Sequence, residues 1–338
     1  MSAWLILPIV CLCSLWLTKQ LRNYAMSHSL IDIPNLRSSH SVPTPRGGGV
    51  AIVLSFLLCL PILHFGGFIS WEHTVSVVGA GGAVALLGFF DDHGHIAARW
   101  RLVGHFLSGC WVLYWNGSLP PLTLFGLNFD LGILAYIFAL FYIVWLLNLY
   151  NFMDGIDGLA SIEAITACLG AAFLYYISGF EYLIWSPLFL GSAVIGFLYW
   201  NFPPARIFMG DAGSGFLGVI LATLSLQAFA ASAKFLWVWL ILLGVFIVDA
   251  TFTLLRRILR GDKVYEAHRS HAYQFASRRF GSHKIVTLAI AVINIVWLLP
   301  IAYLVTVGVV DGVFALLVTY IPLILIAAKF NAGDLEHK

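Results

Sequence analysis

Asp91 with Asp92, Asp154 with Asp157, and Asp211 stand at the ends of strongly apolar segments. A carboxylate beside hydrocarbon is costly, so each of them needs a partner or a task. Asp91 and Asp92 close the run Gly88-Phe-Phe-Asp-Asp92. A helix C-terminus repels anions through its dipole, and adjacent carboxyls raise one another's pKa, so a shared cation or a shared proton is expected there. Asn148, Asn151, Asp154 and Asp157 follow at a spacing of three, which turns neighbours toward one another on a helix. Gly155 and Gly158 are expected to break that helix into a loop that gathers the groups. Asp211 precedes Ala-Gly-Ser-Gly215, a small-residue helix start whose free N–H groups suit an anion. A carboxylate placed there can hold a metal against a phosphate. Hard oxygens with no Cys beside them favour Mg²⁺, with Mn²⁺ able to substitute. Metal-assisted phosphoryl chemistry on a strongly anionic substrate is the reading these residues support.

A second polar group lies in the last basic loop. His268 and His271 form His-x-x-His, able to donate to phosphate or sugar oxygens. Zinc would need a third soft ligand, and none lies nearby in the sequence. Asp249 is expected to pair with Arg256 or Arg257. Cys11, Cys13, Cys59, Cys110 and Cys168 all sit in apolar runs without CxxC spacing, as small packing residues do.

The elements that position these groups follow from composition. The chain of 338 residues is 61% hydrophobic and 10% charged, where a soluble domain carries roughly 25%. Net charge is +2, basic residues are few and no basic-aromatic stripe occurs, so the lipid bilayer is the expected partner and nucleic acid is not expected. Crossing a bilayer takes about 20 apolar residues. Eleven segments qualify, near 3–18, 47–65, 73–90, 102–116, 131–150, 159–178, 182–200, 213–231, 235–256, 285–306 and 311–329. The expected fold is all-α and polytopic, a single transmembrane domain over 1–338 without internal repeats. Residues 1–18 read as an uncleaved span, since Lys19 and Arg22 follow it and no A-x-A site does. Placing the N-terminus outside puts seventeen of the 18 Lys and Arg on the inner side, with Lys234 the exception. The positive-inside rule therefore expects a periplasmic N-terminus and a cytoplasmic C-terminus. The inner connections 19–46, 91–101, 201–212 and 257–284 are long and polar, so the working face is expected to be cytoplasmic.

These motifs closely resemble the polyprenyl-phosphate N-acetylhexosamine-1-phosphate transferases. The resemblance covers residues 30–285. It rests on His40-Ser-Val-Pro-Thr-Pro-Arg-Gly-Gly-Gly49, Gly88 to Asp92, Asn148 to Gly158, Asn201 to Gly215, and His268-Arg-Ser-His271. It implies that a UDP-N-acetylhexosamine gives its sugar 1-phosphate to undecaprenyl phosphate with release of UMP, at a bacterial inner membrane. It also implies roles: Asp211 as the Mg²⁺ ligand, and Asp91 and Asp92 as the pair that positions or deprotonates the lipid phosphate. Asn151, Asp154, Asp157 and Asn201 match nucleotide-sugar and active-site positions, His268 and His271 the diphosphate-facing histidines, and Arg46 and Arg101 retained basic positions.

The peptidoglycan branch of that family has a Lys after its Asp pair and three consecutive His. Here His93 and His95 follow the pair, and the later motif is His268-Arg-Ser-His271. The resemblance is nearer the branch that initiates lipopolysaccharide O-antigen, with N-acetylfucosamine or N-acetylquinovosamine as the sugar and GlcNAc as the rival. Direct attack by the lipid phosphate is favoured over a covalent Asp intermediate. The sequence fixes no oligomeric state, and a homodimer is compatible with it. An ion-coupled transporter would bury its carboxylates near mid-bilayer in broken spans, and an intramembrane prenyltransferase would release pyrophosphate.

Overall fold

The computed structural model describes residues 3–34, 39, 42–94, 96–262 and 268–335. His40 and His95, and the basic residues Arg37, Lys263 and Lys338, lie outside the described residues. Helices dominate, as runs of apolar residues in lipid demand: every backbone group there needs an internal partner. In chain order they are α1 (Ala3–Ser27), α2 (Val50–Phe65), α3 (Trp71–Gly94), α4 (Ala98–Asn116), α5 (Ile133–Met153), α6 (Leu159–Ile177) and α7 (Trp185–Asn201). There follow α8 (Asp211–Ala231), α9 (Lys234–Leu242), α10 (Gly244–Arg260), α11 (Ala272–Phe280), α12 (His283–Ile293), α13 (Leu299–Thr306) and α14 (Gly312–Lys329). The only strands among the described residues are two short antiparallel hairpins. Ile31–Asp32 (β1) pairs with Thr44–Pro45 (β2), and Leu122–Leu124 (β3) with Leu127–Phe129 (β4).

Among the described residues eight helical segments are long and apolar enough to cross a membrane, and the bent pair α9–α10 makes a ninth. The chain is a multi-pass membrane protein. α2 is only 16 residues long, and α4 carries Arg99 and Arg101 in its first turn. The central member is α8, whose apolar stretch is 83% buried, against 22% for α1 and 28% for α14. Small residues make that centre possible. A Cβ on Gly218 would lie 2.7 Å from the Leu147 backbone, and one on Gly88 2.5 Å from the backbone of Asp211 and Ala212. α8 thereby packs directly against α5 and α3. Large apolar side chains such as Leu58, Leu107, Phe138, Val296 and Leu325 point outward, as in a protein solvated by lipid.

Three features depart from the expected spans. The segment 235–256 is bent by 73° between α9 and α10, where Gly244 lies against Leu323 and Tyr320 of α14. The span that begins at His283 passes through a π-turn, Asn294–Leu298, before continuing as α13. The basic segment 257–284, expected as a loop, contains α11. α11 is fixed from outside itself: Asp249 of α10 accepts the Ala272 and Tyr273 amides at 2.9 and 3.0 Å. Asp249 was expected to serve Arg256 or Arg257; capping α11 is the task the fold gives it.

Candidate active site

At one end of the bundle, α3 ends, α7 ends, α8 begins, and the turn between α5 and α6 comes between them. These termini surround a cavity of about 290 Å³ lined by Arg46, Asp92, Asn151, Asp154, Asp157 and Asp211, among others. Each reaches it by a different local device.

Asp92 is 8% exposed, and its carboxylate accepts the Asp211 and Ala212 amides at 3.3 Å each. A carboxylate from the end of one helix thus caps the start of another, which offsets its own unfavourable helix end with the dipole of α8. The close approach at Gly88 permits this. Asp211, the first residue of α8, accepts Asn151 Nδ2 at 3.1 Å and lies 3.3 Å from Arg101 Nη1. Asn151 also donates to Ser214 Oγ at 2.8 Å. Arg101 makes a second, shorter contact to Asp91, whose other oxygen accepts the Ile96 amide at 2.7 Å. The adjacent acids therefore separate. Asp92 lines the main cavity, whereas Asp91 and Arg101 border a smaller one of about 50 Å³ behind Asp211.

Arg46 arrives on an extended segment. Pro45, Gly48 and Gly49 exchange backbone hydrogen bonds with Phe208 and Met209 at 2.8–2.9 Å, and the Arg46 guanidinium donates to the Asp92 carbonyl oxygen. Asp157 is held on three sides, by the Ala205 amide at 2.9 Å, by His283 Nδ1 at 3.2 Å and, through its carbonyl, by Thr287 Oγ1 at 2.8 Å. Asn201 spends both ends of its amide on backbone, accepting from Gly158 and donating to the Ile207 carbonyl at 3.0 Å each. It shapes the loop that carries Asp157, where Gly158 adopts φ +72°.

Asp154 is different. No described residue donates a hydrogen bond to its carboxylate. Burial, reinforced by Asp211, Asp92 and Asp157, pushes that carboxyl well above the usual carboxylate range. A bare acid among other acids is the arrangement a cation relieves. Among the described residues no three His, Cys, Asp or Glu side chains close into a metal cage. Asp154 and Asp211 offer carboxylate oxygens of the kind Mg²⁺ takes, one or two at a time with water and substrate phosphates completing the shell.

His268 and His271 are not among the residues lining the cavity. His271 is 3% exposed, lies 3.3 Å from Asp249 through Nδ1 and stacks between His268 and Tyr273. Burial, with His271 and Arg257 beside it, pushes the His268 imidazole down to about 3, so it is neutral at any physiological pH. The wall on that side is instead made by Gln274 and His283. Sequence reasoning missed both. Gln274 is fixed through α11, where its side chain accepts the His271 amide at 3.2 Å. The signal for His283 was its place beside Ser282, a helix N-cap at the same end as the acidic clusters.

The geometry defines a site at one end of an apolar helical bundle, with hard oxygens, amides and an arginine converging on space for an anion. Residues 74–229 match the family described as glycosyl transferase family 4. A Bacillus subtilis protein named probable undecaprenyl-phosphate N-acetylglucosaminyl 1-phosphate transferase is 30% identical over 292 residues, covering 83% of this chain and 79% of that one. A Thermotoga maritima undecaprenyl-phosphate alpha-N-acetylglucosaminyl 1-phosphate transferase is 26% identical, with 82% and 83% covered. A Streptococcus mutans phospho-N-acetylmuramoyl-pentapeptide-transferase is 31% identical over 63% of this chain and 66% of its own. The chain belongs to glycosyl transferase family 4, and it is a sugar-phosphate transferase.

Proposed function

We propose that this protein transfers an N-acetylated amino-sugar 1-phosphate from a UDP-sugar to undecaprenyl phosphate, releasing UMP and leaving the lipid-linked sugar diphosphate. One observation carries the reading: Asp92, Asp154, Asp157 and Asp211 share a single cavity with Arg46, in a chain whose relatives are named for undecaprenyl phosphate. The site faces the cytoplasm of a bacterial inner membrane, with eleven spans, an outer N-terminus and an inner C-terminus. The Lys and Arg distribution supports that orientation.

In the reaction, an oxygen of the lipid phosphate forms a bond to the phosphorus that bears the sugar. The bond from that phosphorus to the bridging oxygen breaks, and UMP leaves with the electron pair. The sugar's anomeric bond is untouched. Two anions must approach each other, and the cavity's own residues prepare for this. Arg46 supplies positive charge beside Asp92, and Asp92 orients the incoming lipid phosphate or takes its proton. Asn151, Asp157 and Gln274 offer polar contacts to the donor. Asp211 and Asp154 would hold Mg²⁺, which supplies charge neutralisation between the phosphates. Asp91 and Arg101 set the position of Asp211 from behind. Attack is direct, with no covalent Asp intermediate.

The motifs after the Asp pair support lipopolysaccharide O-antigen initiation, with N-acetylfucosamine or N-acetylquinovosamine as the sugar. A second reading, GlcNAc, is favoured by the names of the Bacillus and Thermotoga relatives. The purified protein, given Mg²⁺, undecaprenyl phosphate and a panel of UDP-sugars, tests this. The lipid product should gain the mass of one N-acetylated sugar phosphate, and which UDP-sugar reacts identifies the donor. A panel in which no UDP-sugar modifies the lipid would end the proposal.

A further inference from the structure

Glu163 lies in the first turns of α6, just below the loop that carries Asp154 and Asp157, and it is wholly buried. Among the described residues no Lys, Arg or His forms an ion pair with it. Its Oε2 accepts Asn294 Nδ2 at 2.6 Å, and the same Nδ2 donates to Thr166 Oγ1 at 2.8 Å. Asn294 is 3% exposed and opens the π-turn, a rare element that often marks a functional site. Two atoms remain: Glu163 Oε1 and Asn294 Oδ1 are both buried and both without a hydrogen-bond partner.

Both orphans are acceptors if Glu163 is ionised, and a buried acceptor without a donor is expensive. They belong to two groups already joined through Oε2 and Nδ2. We propose that Glu163 is held as the neutral acid, with its proton on Oε1 donated to Asn294 Oδ1, so that carboxyl and carboxamide bond in both directions. That proton turns one acceptor into a donor and satisfies both atoms at once. It also removes a bare charge from the bundle interior. The Phe246 amide, near the start of α10, also approaches this carboxyl, but it makes no hydrogen bond to Oε1.

The consequence is positional. The span made of α12 and the π-turn is tied to the α6 side of the site at two levels. Above, His283 and Thr287 grip Asp157 at 3.2 and 2.8 Å; below, Asn294 grips Glu163. Glu163 is a positioning residue for the Asp154–Asp157 loop, and this holds whatever the sugar is.

Infrared difference spectra of the purified protein without substrate, wild type against Glu163→Gln, test the proton directly. Wild type at pH 7 should show a protonated carboxylic acid carbonyl band that vanishes in the variant. Glu163→Gln should keep its turnover within about threefold, because its amide N–H replaces the acid O–H, while Glu163→Ala should lose about tenfold or more. Absence of the band from wild type, or a Glu163→Gln variant as impaired as Glu163→Ala, would overturn the proposal. If Glu163→Ala does not fold, the spectra and the Gln variant still decide. Because the band is read without substrate, its failure is distinct from failure of the proposed reaction.

Discussion

At the scale of single residues, four carboxylates share one cavity but do different work. Asp92 and Asp157 are held in place by amides and His283, whereas Asp154 is bare. Asp211→Asn should lower turnover by about 10²–10³-fold while the protein still folds; wild-type rates in that variant at limiting Mg²⁺ would remove Asp211 from the metal site. Thermal stabilisation by added Mg²⁺ should be present in wild type and lost in both Asp154→Asn and Asp211→Asn. A Mg²⁺-induced melting shift that survives in either would assign the ion elsewhere. The histidines should divide in the same way. His271→Ala should lower thermal stability by about 1–3 kcal/mol, since His271 sits against Asp249 and stacks on Tyr273. His283→Ala should act mainly on turnover, because His283 lines the cavity and holds Asp157. Equal melting temperatures for the two variants would contradict this division.

At the scale of elements, the site depends on how closely α3 approaches the start of α8. Gly88→Ala would place a methyl group 2.5 Å from the backbone of Asp211 and Ala212. Relief by separating the helices would pull Asp92 from its cap and Asp211 from Arg101. The variant should lose about 1–3 kcal/mol of stability and most of its activity, although it changes no polar group. Near-normal turnover in Gly88→Ala would show that the α3–α8 seam does not set the geometry. The sequence makes much of this level legible, because hydropathy locates apolar helices and because Asp and Asn at span ends stand out against hydrocarbon. What it hides is non-local. α11 is a short polar helix held by Asp249, more than twenty residues away. The bend between α9 and α10 falls where Gly244 packs against α14, a contact that composition does not record. Asn201 matches an active-site position by resemblance and lines the cavity, but the sequence does not reveal that its amide is also held by the backbone at Gly158 and Ile207. His283 meets Asp157 across 126 positions, so no spacing rule could join them.

At the scale of the whole molecule, the bundle brings termini of several helices to one end and leaves apolar side chains around its flank. If that end faces the cytoplasm, a single cysteine placed at Arg206 should be labelled by an impermeant thiol reagent only after the inner face is opened. One at Gly126, in the β3–β4 turn, should be labelled in intact spheroplasts, and the reverse pattern would invert the proposed topology. The nucleotide released during turnover is the most direct measure of the chemistry assigned to the cavity. With the purified protein, Mg²⁺, undecaprenyl phosphate and its reactive UDP-sugar, UMP should appear in step with lipid product, because the phosphorus bearing the sugar is the atom attacked. Release of UDP instead would mean transfer at the sugar carbon, and would contradict the account.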